Sequence, residues 1–425
     1  MTLLTLMLAA AWASPENLGF NQALEKIVDR SPSVLKQRSL LAATRSKNLS
    51  EGLLRWTPAI SAQAKTGVGN DPAGSTSSQS VEGVAEFNLF RFGADIAGAR
   101  AANKEIESQE FTLQNTILTA EAEAISALVD YILATRKIDV ADRILLSRKD
   151  SLSVANRRYE KGQIPLEEVD KVSVDLDNAT AQKRDAEASL AQASADLERL
   201  LGEERISTEW PWKDSLPKEV PRLIQESADL TRRPDWQISS KDWELAEQKA
   251  HEAFRDLFPR LDVKVSYGYF KTDLYGVGSS GPGWTAGLAL TIPLYDRLVG
   301  YGRYRAQAHT QMAADAQFEG VRRLAKRDFD SARATLGISL DTALNREKTL
   351  GVARKIYQAN RERFNRGILS ANEFRIDQDR LTETETLVLH GWASAHNDFR
   401  RLCHAIGRRV AACLASFPAG PFSGL

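Results

Sequence analysis

The sequence predicts a mixed fold, mainly α-helical with membrane-type β-strands, in which a β-hairpin and a long helical hairpin occur twice. Three observations carry this prediction. Short motifs recur at a nearly constant offset, four segments alternate strictly between apolar and polar residues, and two long runs of helix-forming residues contain no proline. Internal repetition and hydrophobic period are the strongest signals of architecture in a single sequence.

Composition excludes several classes of protein. The 425 residues, 26% charged and 43% hydrophobic, suffice for large buried cores, and 56 basic residues balance 56 acidic ones. A net charge of zero argues against nucleic acid as the main partner. Two cysteines exclude a disulfide-dense scaffold and a four-cysteine metal cluster. No uncharged apolar run of 18 residues follows the N-terminus, so spanning helices are not expected, whereas membrane β-strands give a weaker signal and stay possible.

The N-terminus has the form of a signal peptide over residues 1–13. An apolar run from Thr2 to Ala11 is followed by Ala11-Trp12-Ala13, a small-x-small cleavage pattern. No lysine or arginine precedes the run, so a start upstream stays open, as does a buried N-terminal helix. Export would bring Cys403 and Cys413 into an oxidising compartment, and their spacing leaves their pairing undecided.

The chain is duplicated. Residues 158–162 (RYEKG) recur as residues 363–367 (RFNRG) at an offset of 205, and Ser31-Pro32 matches Arg233-Pro234 at 202. The change in offset falls in a Gly- and Ser-rich region, where loops tolerate length change. We divide the chain into a first repeat at 16–202, a joining segment at 203–221, a second repeat at 222–407 and a tail at 408–425.

Each repeat contains a predicted β-hairpin, at 58–90 and 259–295. Period two over about ten residues indicates strands with one apolar and one polar face. Aromatic residues gather toward the strand ends, as in the interfacial girdles of membrane strands. A soluble antiparallel sheet covered by helices is the alternative. The side chains expected to face lipid are Phe87, Leu89, Val263, Val265, Tyr267, Trp284, Leu288 and Leu290.

Two proline-free runs, 93–161 and 297–366, predict helices of roughly 100 Å at 1.5 Å per residue. The returning segments place apolar residues at three-four spacing, which indicates coiled-coil-like packing. We therefore expect helical hairpins at 93–202 and 297–407.

Motifs for catalysis are weak. Gly276 to Gly281 matches GxGxxG, but Pro282-Gly283 and a strand follow it in place of the helix that phosphate binding needs. The five histidines show no paired spacing, and Cys403-His404 with Cys413 is too sparse for zinc. The sequence predicts neither an enzyme nor a metal or cofactor site.

The ends of the long helices are more informative. Gly162 and Gly367 have the position of helix C-caps, and Glu168 and Glu373 follow each glycine by six residues. Ser370 to Glu373 also forms a capping box, so Glu373 has two interpretations: a helix cap or part of a functional acidic ring. The two are compatible.

The duplicated layout is accompanied by the segments Arg233-Pro234-Asp235 and Pro293-Leu294-Tyr295-Asp296 and by the paired Arg-aromatic-x-x-Gly tips. In these features the chain resembles the TolC-like outer-membrane efflux proteins over residues 17–407. This resemblance implies a homotrimer in the outer membrane, with four strands per chain in a 12-stranded β-barrel that a periplasmic α-barrel continues. Four strands cannot close a barrel, and eight would fill their own interior. Twelve strands, from three chains, is the smallest count that leaves an aqueous bore.

The resemblance also implies partners and sites. An inner-membrane pump or ABC transporter would feed the channel through a periplasmic adaptor (membrane fusion protein). Adaptor contacts would fall on Lys161, Gly162, Gln163, Arg366, Gly367 and Ile368. The resting aperture would involve Glu168, Glu373, Asp377 and Phe364. This sequence departs from the family at Ile376, where an acid is usual, and at Phe364, which lacks a tyrosine hydroxyl.

The function expected is a passive exit duct for a tripartite efflux system that exports drugs, small molecules or metal ions. Type I protein secretion is the alternative role, and a soluble exported coiled-coil adaptor or structural protein is the alternative class. An inward-packed strand face would favour that alternative class.

Overall fold

A computed structural model describes residues 19–71, 74–201, 229–274, 277–366 and 368–415. The predictions for the signal peptide at 1–13, the joint at 203–221, Gly276 and Gly367 lie outside these residues, as does the end of the tail.

The described chain is mainly helical with one smaller sheet, which confirms the mixed, mainly α-helical character of the predicted fold. Its first repeat contains α1 (Phe20–Arg30), α2 (Pro32–Asn48), a π-turn (Leu49–Leu53), a 3-10 turn (Leu54–Trp56), α3 (Ala94–Glu160) and α4 (Leu166–Leu201). Its second contains a 3-10 turn (Leu230–Arg232), α5 (Pro234–Arg255), α6 (Val299–Asn365), α7 (Ala371–Ala405) and the short α8 (Val410–Ala415).

Proline positions explain where several helices begin. Pro32 and Pro234 are the first residues of α2 and α5, where a missing N–H costs no helical hydrogen bond. The two proline-free runs form α3 and α6, each 67 residues long. The first helical segment is interrupted at Ser31, which caps α1 just before Pro32.

The sheet has four antiparallel strands in the order β1 (Ala59–Asp71), β2 (Gly74–Phe90), β3 (Arg260–Leu274) and β4 (Val277–Thr291). The pairing of β2 with β3 joins the two repeats, with Phe87 opposite Val263 and a register shift between Asn88 and Phe90. The strands have 13 to 17 residues, more than the alternating segments alone indicated.

The two faces of the sheet differ in chemistry. Directly paired residues share a face, so Phe87, Val263 and Leu288 form an apolar row, and Tyr267 with Trp284 forms another. Trp284 is 72% exposed and Leu288 is 71% exposed. On the opposite face the side chains are joined by ion pairs, Lys65–Glu82 at 2.7 Å and Lys264–Glu86 at 2.8 Å. In the described part of the chain, no strand pairs with the outer edge of β1 or of β4.

The chain forms two compact units, each with segments from both repeats. The first unit comprises Met1–Lys36, Gln114–Arg233 and Leu324–Leu425, and the second comprises Gln37–Leu113 and Pro234–Arg323. The core of the first unit contains side chains that are almost fully buried, among them Leu24, Ile125, Leu336 and Phe399.

The second unit contains the sheet and a network of ion pairs. Arg55 contacts Asp95 at 2.8 Å and Glu252 at 2.6 Å, and Lys104 contacts Glu244 at 2.8 Å. These pairs link α3 to the 3-10 turn at Leu54–Trp56 and to α5. Within the described ranges, no helix combines the length and the apolar character that crossing a membrane requires.

Candidate functional site: the helical tips

The candidate site lies in the first unit, where α3 turns into α4 and α6 turns into α7. At the first tip, Gly162 has a φ of +67°, a conformation that favours glycine. Its N–H donates to the Tyr159 carbonyl at 2.8 Å, and the Gln163 N–H donates to the Arg158 carbonyl at 2.9 Å. These bonds satisfy carbonyls that the end of α3 would otherwise leave unpaired.

The second tip repeats one of these hydrogen bonds. The Ile368 N–H donates to the Arg363 carbonyl at 3.0 Å. Both its donor and its acceptor lie 205 positions after those of the bond from Gln163 to Arg158, so the sequence repeat extends to a single hydrogen bond.

Glu373 is a helix cap. Its backbone N–H donates to the Ser370 hydroxyl at 3.2 Å, and its carboxylate accepts from the Ser370 hydroxyl at 2.8 Å and the Ser370 N–H at 3.1 Å. The hydrogen bond from the Ser370 hydroxyl is the larger cause of a pKa of Glu373 below its usual value, and the bond from the Ser370 N–H lowers this pKa further. This confirms the capping box predicted from the sequence. The residue is also exposed, so the cap leaves part of its charge facing solvent.

The other predicted acids are differently placed. Glu168 is exposed in the first turn of α4, and its backbone N–H donates to the Pro165 carbonyl at 3.2 Å. Asp377 accepts a hydrogen bond of 2.6 Å from the Asn360 side chain and so links α7 to α6.

Phe364 belongs to an aromatic cluster and is only 4% exposed. Its ring stacks on Phe374 at 4.6 Å, and Phe374 stacks on Tyr357 at 5.6 Å. The Arg158 guanidinium lies 4.8 Å from the centre of the Phe364 ring and donates to the Phe364 carbonyl at 2.9 Å. The first tip therefore holds the second through Arg158.

A groove of about 780 Å³ runs between the two helical hairpins beside this cluster. Glu168, Ser370, Phe364 and Phe374 line it together with charged residues of both signs. Those charged residues are Arg148, Asp170, Lys171, Asp175 and Arg375.

Sequence reasoning missed Arg148, which is 6% exposed on α3. It donates to the side chains of Gln378 and Asp379 on α7, and Gln378 in turn donates to Ser147 at 2.6 Å. A long-range partner 230 positions away leaves no sign in local periodicity.

The residues predicted to contact an adaptor are at the surface where they are described. Lys161, Gln163 and Arg366 are exposed, and Ile368 is 71% exposed.

Known proteins share this architecture. The family model for the outer membrane efflux protein matches residues 23–203 and 226–408. A solved membrane protein from Pseudomonas aeruginosa is 18% identical, with a TM-score of 0.78, and the match covers 92% of this chain and 90% of that one. The outer membrane protein VceC from Vibrio cholerae is 16% identical, with a TM-score of 0.76, and the match covers 92% and 96%.

The CmeC outer membrane channel of Campylobacter jejuni is 12% identical, with a TM-score of 0.78 and coverage of 93% and 88%. At these identities the likeness shows the fold alone. A search of curated proteins finds no sequence that matches this chain.

Duplicated helical hairpins joined to a four-stranded sheet, with the same hydrogen bond at both tips, define the class of TolC-like channels. The chain belongs to the outer membrane efflux protein family, as its match over nearly the whole length of both repeats shows. It is therefore an outer-membrane protein, and the resemblance seen in the sequence is confirmed.

Proposed function

We propose that three copies of this chain form a passive exit duct across the outer membrane and periplasm for a tripartite efflux system. The observation that carries the proposal is a four-stranded sheet with unpaired outer edges and an exposed apolar face in the described chain. Its apolar face is exposed, with Trp284 and Leu288 more than two-thirds accessible, and both outer strands have free edges in the described chain.

Exposed edges and an apolar face open to solvent are liabilities for a soluble sheet. Closure with two further copies into a 12-stranded barrel would pair every edge and place the apolar face against lipid. The ion-paired face, with Glu82 and Glu86, would then line an aqueous bore. The exposure of the apolar face also disfavours the soluble adaptor, which needs that face packed inward.

The periplasmic aperture is proposed at the tips. Three copies of Glu168 and Glu373 would bring six carboxylates to a narrow mouth, which would attract cations. Asp377 and Phe364 would position this mouth: Asp377 ties α7 to α6, and Phe364 packs the second tip onto the first.

A periplasmic adaptor, connected to an inner-membrane pump or ABC transporter, is proposed to dock on Lys161, Gly162, Gln163, Arg366, Gly367 and Ile368. The exposure of Ile368 and the mixed charge of the adjoining groove support a protein partner there.

The test is the block of single-channel conductance by divalent cations in planar bilayers. Glu373→Gln is expected to weaken the block by about tenfold, equivalent to about 1.4 kcal/mol of cation binding. Ser370→Ala is the matched control because it removes the capping hydroxyl and keeps the carboxylate. Its block is expected to stay close to that of the wild type.

An unchanged block in a properly assembled Glu373→Gln channel would remove Glu373 from the aperture. A second measurement tests the assembly itself, by light scattering of the protein extracted in detergent. A particle of three chains is expected, and a monomer that stays soluble without detergent would refute the duct.

A further inference from the structure

The two cysteines of the chain lie in the same buried core of the first unit. Cys403 lies near the end of α7 and Cys413 lies in α8, and both have 0% exposed surface. They belong to one apolar cluster that also contains Phe399, Leu402 and Val410. Burial, and then a hydrogen bond between the two thiols, raise the pKa of Cys403 well above its usual value.

The turn between the two cysteines is held in place by several contacts. The Arg408 N–H donates to the Cys403 carbonyl at 3.0 Å, and the Val410 N–H donates to the buried carboxylate of Glu121 at 3.2 Å. Gly407 has a φ of +73°, and a side chain there would approach the Cα of Arg233 to 2.8 Å. These contacts fix the turn that returns the chain to the core, so that Cys413 is buried in the same cluster as Cys403.

We propose that Cys403 and Cys413 form an intrachain disulfide in the mature protein. The proposal rests on the complete burial of both thiols in one core cluster and on the outer-membrane location, and it is independent of the duct function. A chain that crosses the inner membrane folds in an oxidising compartment, where disulfides form and persist.

The chemistry is thiol–disulfide exchange with a disulfide-bearing oxidase of the cell envelope. The thiolate of one cysteine attacks the oxidase disulfide and forms a mixed disulfide, and the second thiolate then displaces the oxidase. One S–S bond forms in this chain and one is broken in the oxidase, which leaves with two electrons and two protons as a dithiol. The exchange must occur while the chain folds, because both sulfurs are inaccessible afterwards.

The bond would fasten the end of the described chain to the helical core. It closes a loop over residues 404–412 and fixes α8 against α7, where Val410 and Cys413 are fully buried. The effect of such a bond is chiefly to restrict the unfolded chain.

Peptide mapping of the full chain, extracted from the outer membrane, tests the proposal directly. Free thiols are trapped with iodoacetamide in denaturant, and the protein is digested with trypsin without reduction. Arg401, Arg408 and Arg409 place the cysteines on separate peptides, 402–408 and 410–425. We expect the two peptides to elute as one disulfide-linked species whose mass is two hydrogens below the sum of the two peptide masses. Addition of a reductant should separate them.

Recovery of both peptides as carbamidomethyl adducts without reduction would overturn the proposal, as would a cross-link between two chains. Cys413→Ser provides the control, since Cys403 should then react with iodoacetamide without reduction. The wild-type map decides the question even if this variant does not fold. A monomer in light scattering would refute the duct and leave this result untouched.

Discussion

His396 predicts a specific dependence of stability on pH. It lies in α7 with 0% exposed surface, and its ring centre is 6.3 Å from that of Trp392. Burial lowers the pKa of His396 to about 3, because the charged imidazolium loses its hydration. The perturbation we choose is His396→Gln, which keeps a polar side chain of similar length and removes the titration.

The magnitude follows from the difference between folded and unfolded states. The unfolded histidine binds its proton near pH 6.5, whereas the folded one does so only near pH 3. Between these values the unfolded state binds more protons, so the wild type loses stability as the pH falls, by about 1.4 kcal/mol per pH unit. At pH 4 this loss amounts to about 3 kcal/mol, whereas above pH 7 it vanishes.

The assay is chemical unfolding of the detergent-solubilised protein, followed by circular dichroism between pH 4 and 8. The two curves should cross, with His396→Gln less stable at pH 7 by about 1 kcal/mol and more stable at pH 4. Phe399→Leu, a buried non-titrating change in the same helix, is the control and should lower stability by a similar amount at every pH.

Parallel curves of stability against pH for wild type and His396→Gln would contradict a lowered pKa of His396 in the folded protein. They would mean that the histidine is as easily protonated in the folded protein as in the unfolded chain, and hence that its burial does not persist in solution.

Three further predictions concern the tips and the sheet. Phe364→Ala should destabilise the first unit by roughly 3–5 kcal/mol, because it removes a buried ring from the stack, and thermal unfolding measures the loss. Gly162→Ala should cost only about 1–2 kcal/mol in the same measurement, since its φ of +67° is strained for alanine but no described atom lies within 4 Å of the added methyl group. Leu288→Lys should reduce outer-membrane assembly, with a cost of about 2–4 kcal/mol near the bilayer centre. Thr285→Lys on the opposite face should assemble normally, and equal loss in both variants, measured in membrane fractions, would contradict the assignment of the faces.

Much of the fold was predictable because its signals are local. Proline-free runs located α3 and α6, alternation located the four strands, and the repeat offset anticipated matching bonds at Gln163 and Ile368. The class and the family were therefore readable from the sequence. The length of the strands was not predictable, because the end of β1 and the start of β2 are rich in Gly and Ser and alternate little between apolar and polar residues.

The parts that escaped prediction depend on distant partners. Arg148 and Glu121 are charged residues in buried positions, and only their partners on α7 and at the start of α8 explain them. Periodicity assigns a charged residue to the solvent face by default. The π-turn at Leu49–Leu53 and the positive φ of Arg297 and Leu298 also escaped prediction, since neither arginine nor leucine favours a positive φ and none of the periodic patterns indicates a π-turn.

The two tips share a backbone hydrogen bond, but the side chains at matching positions differ in burial. This difference has a functional consequence. Tyr159 and Phe364 occupy matching positions, yet Tyr159 is 44% exposed while Phe364 is buried under Arg158. The second tip therefore cannot move outward without breaking the bond from Arg158 to the Phe364 carbonyl and exposing part of the aromatic stack. If the duct opens at its periplasmic end, the α6–α7 hairpin is the element whose movement this cluster controls, and Phe364→Ala should make the channel conduct more readily as well as destabilise it.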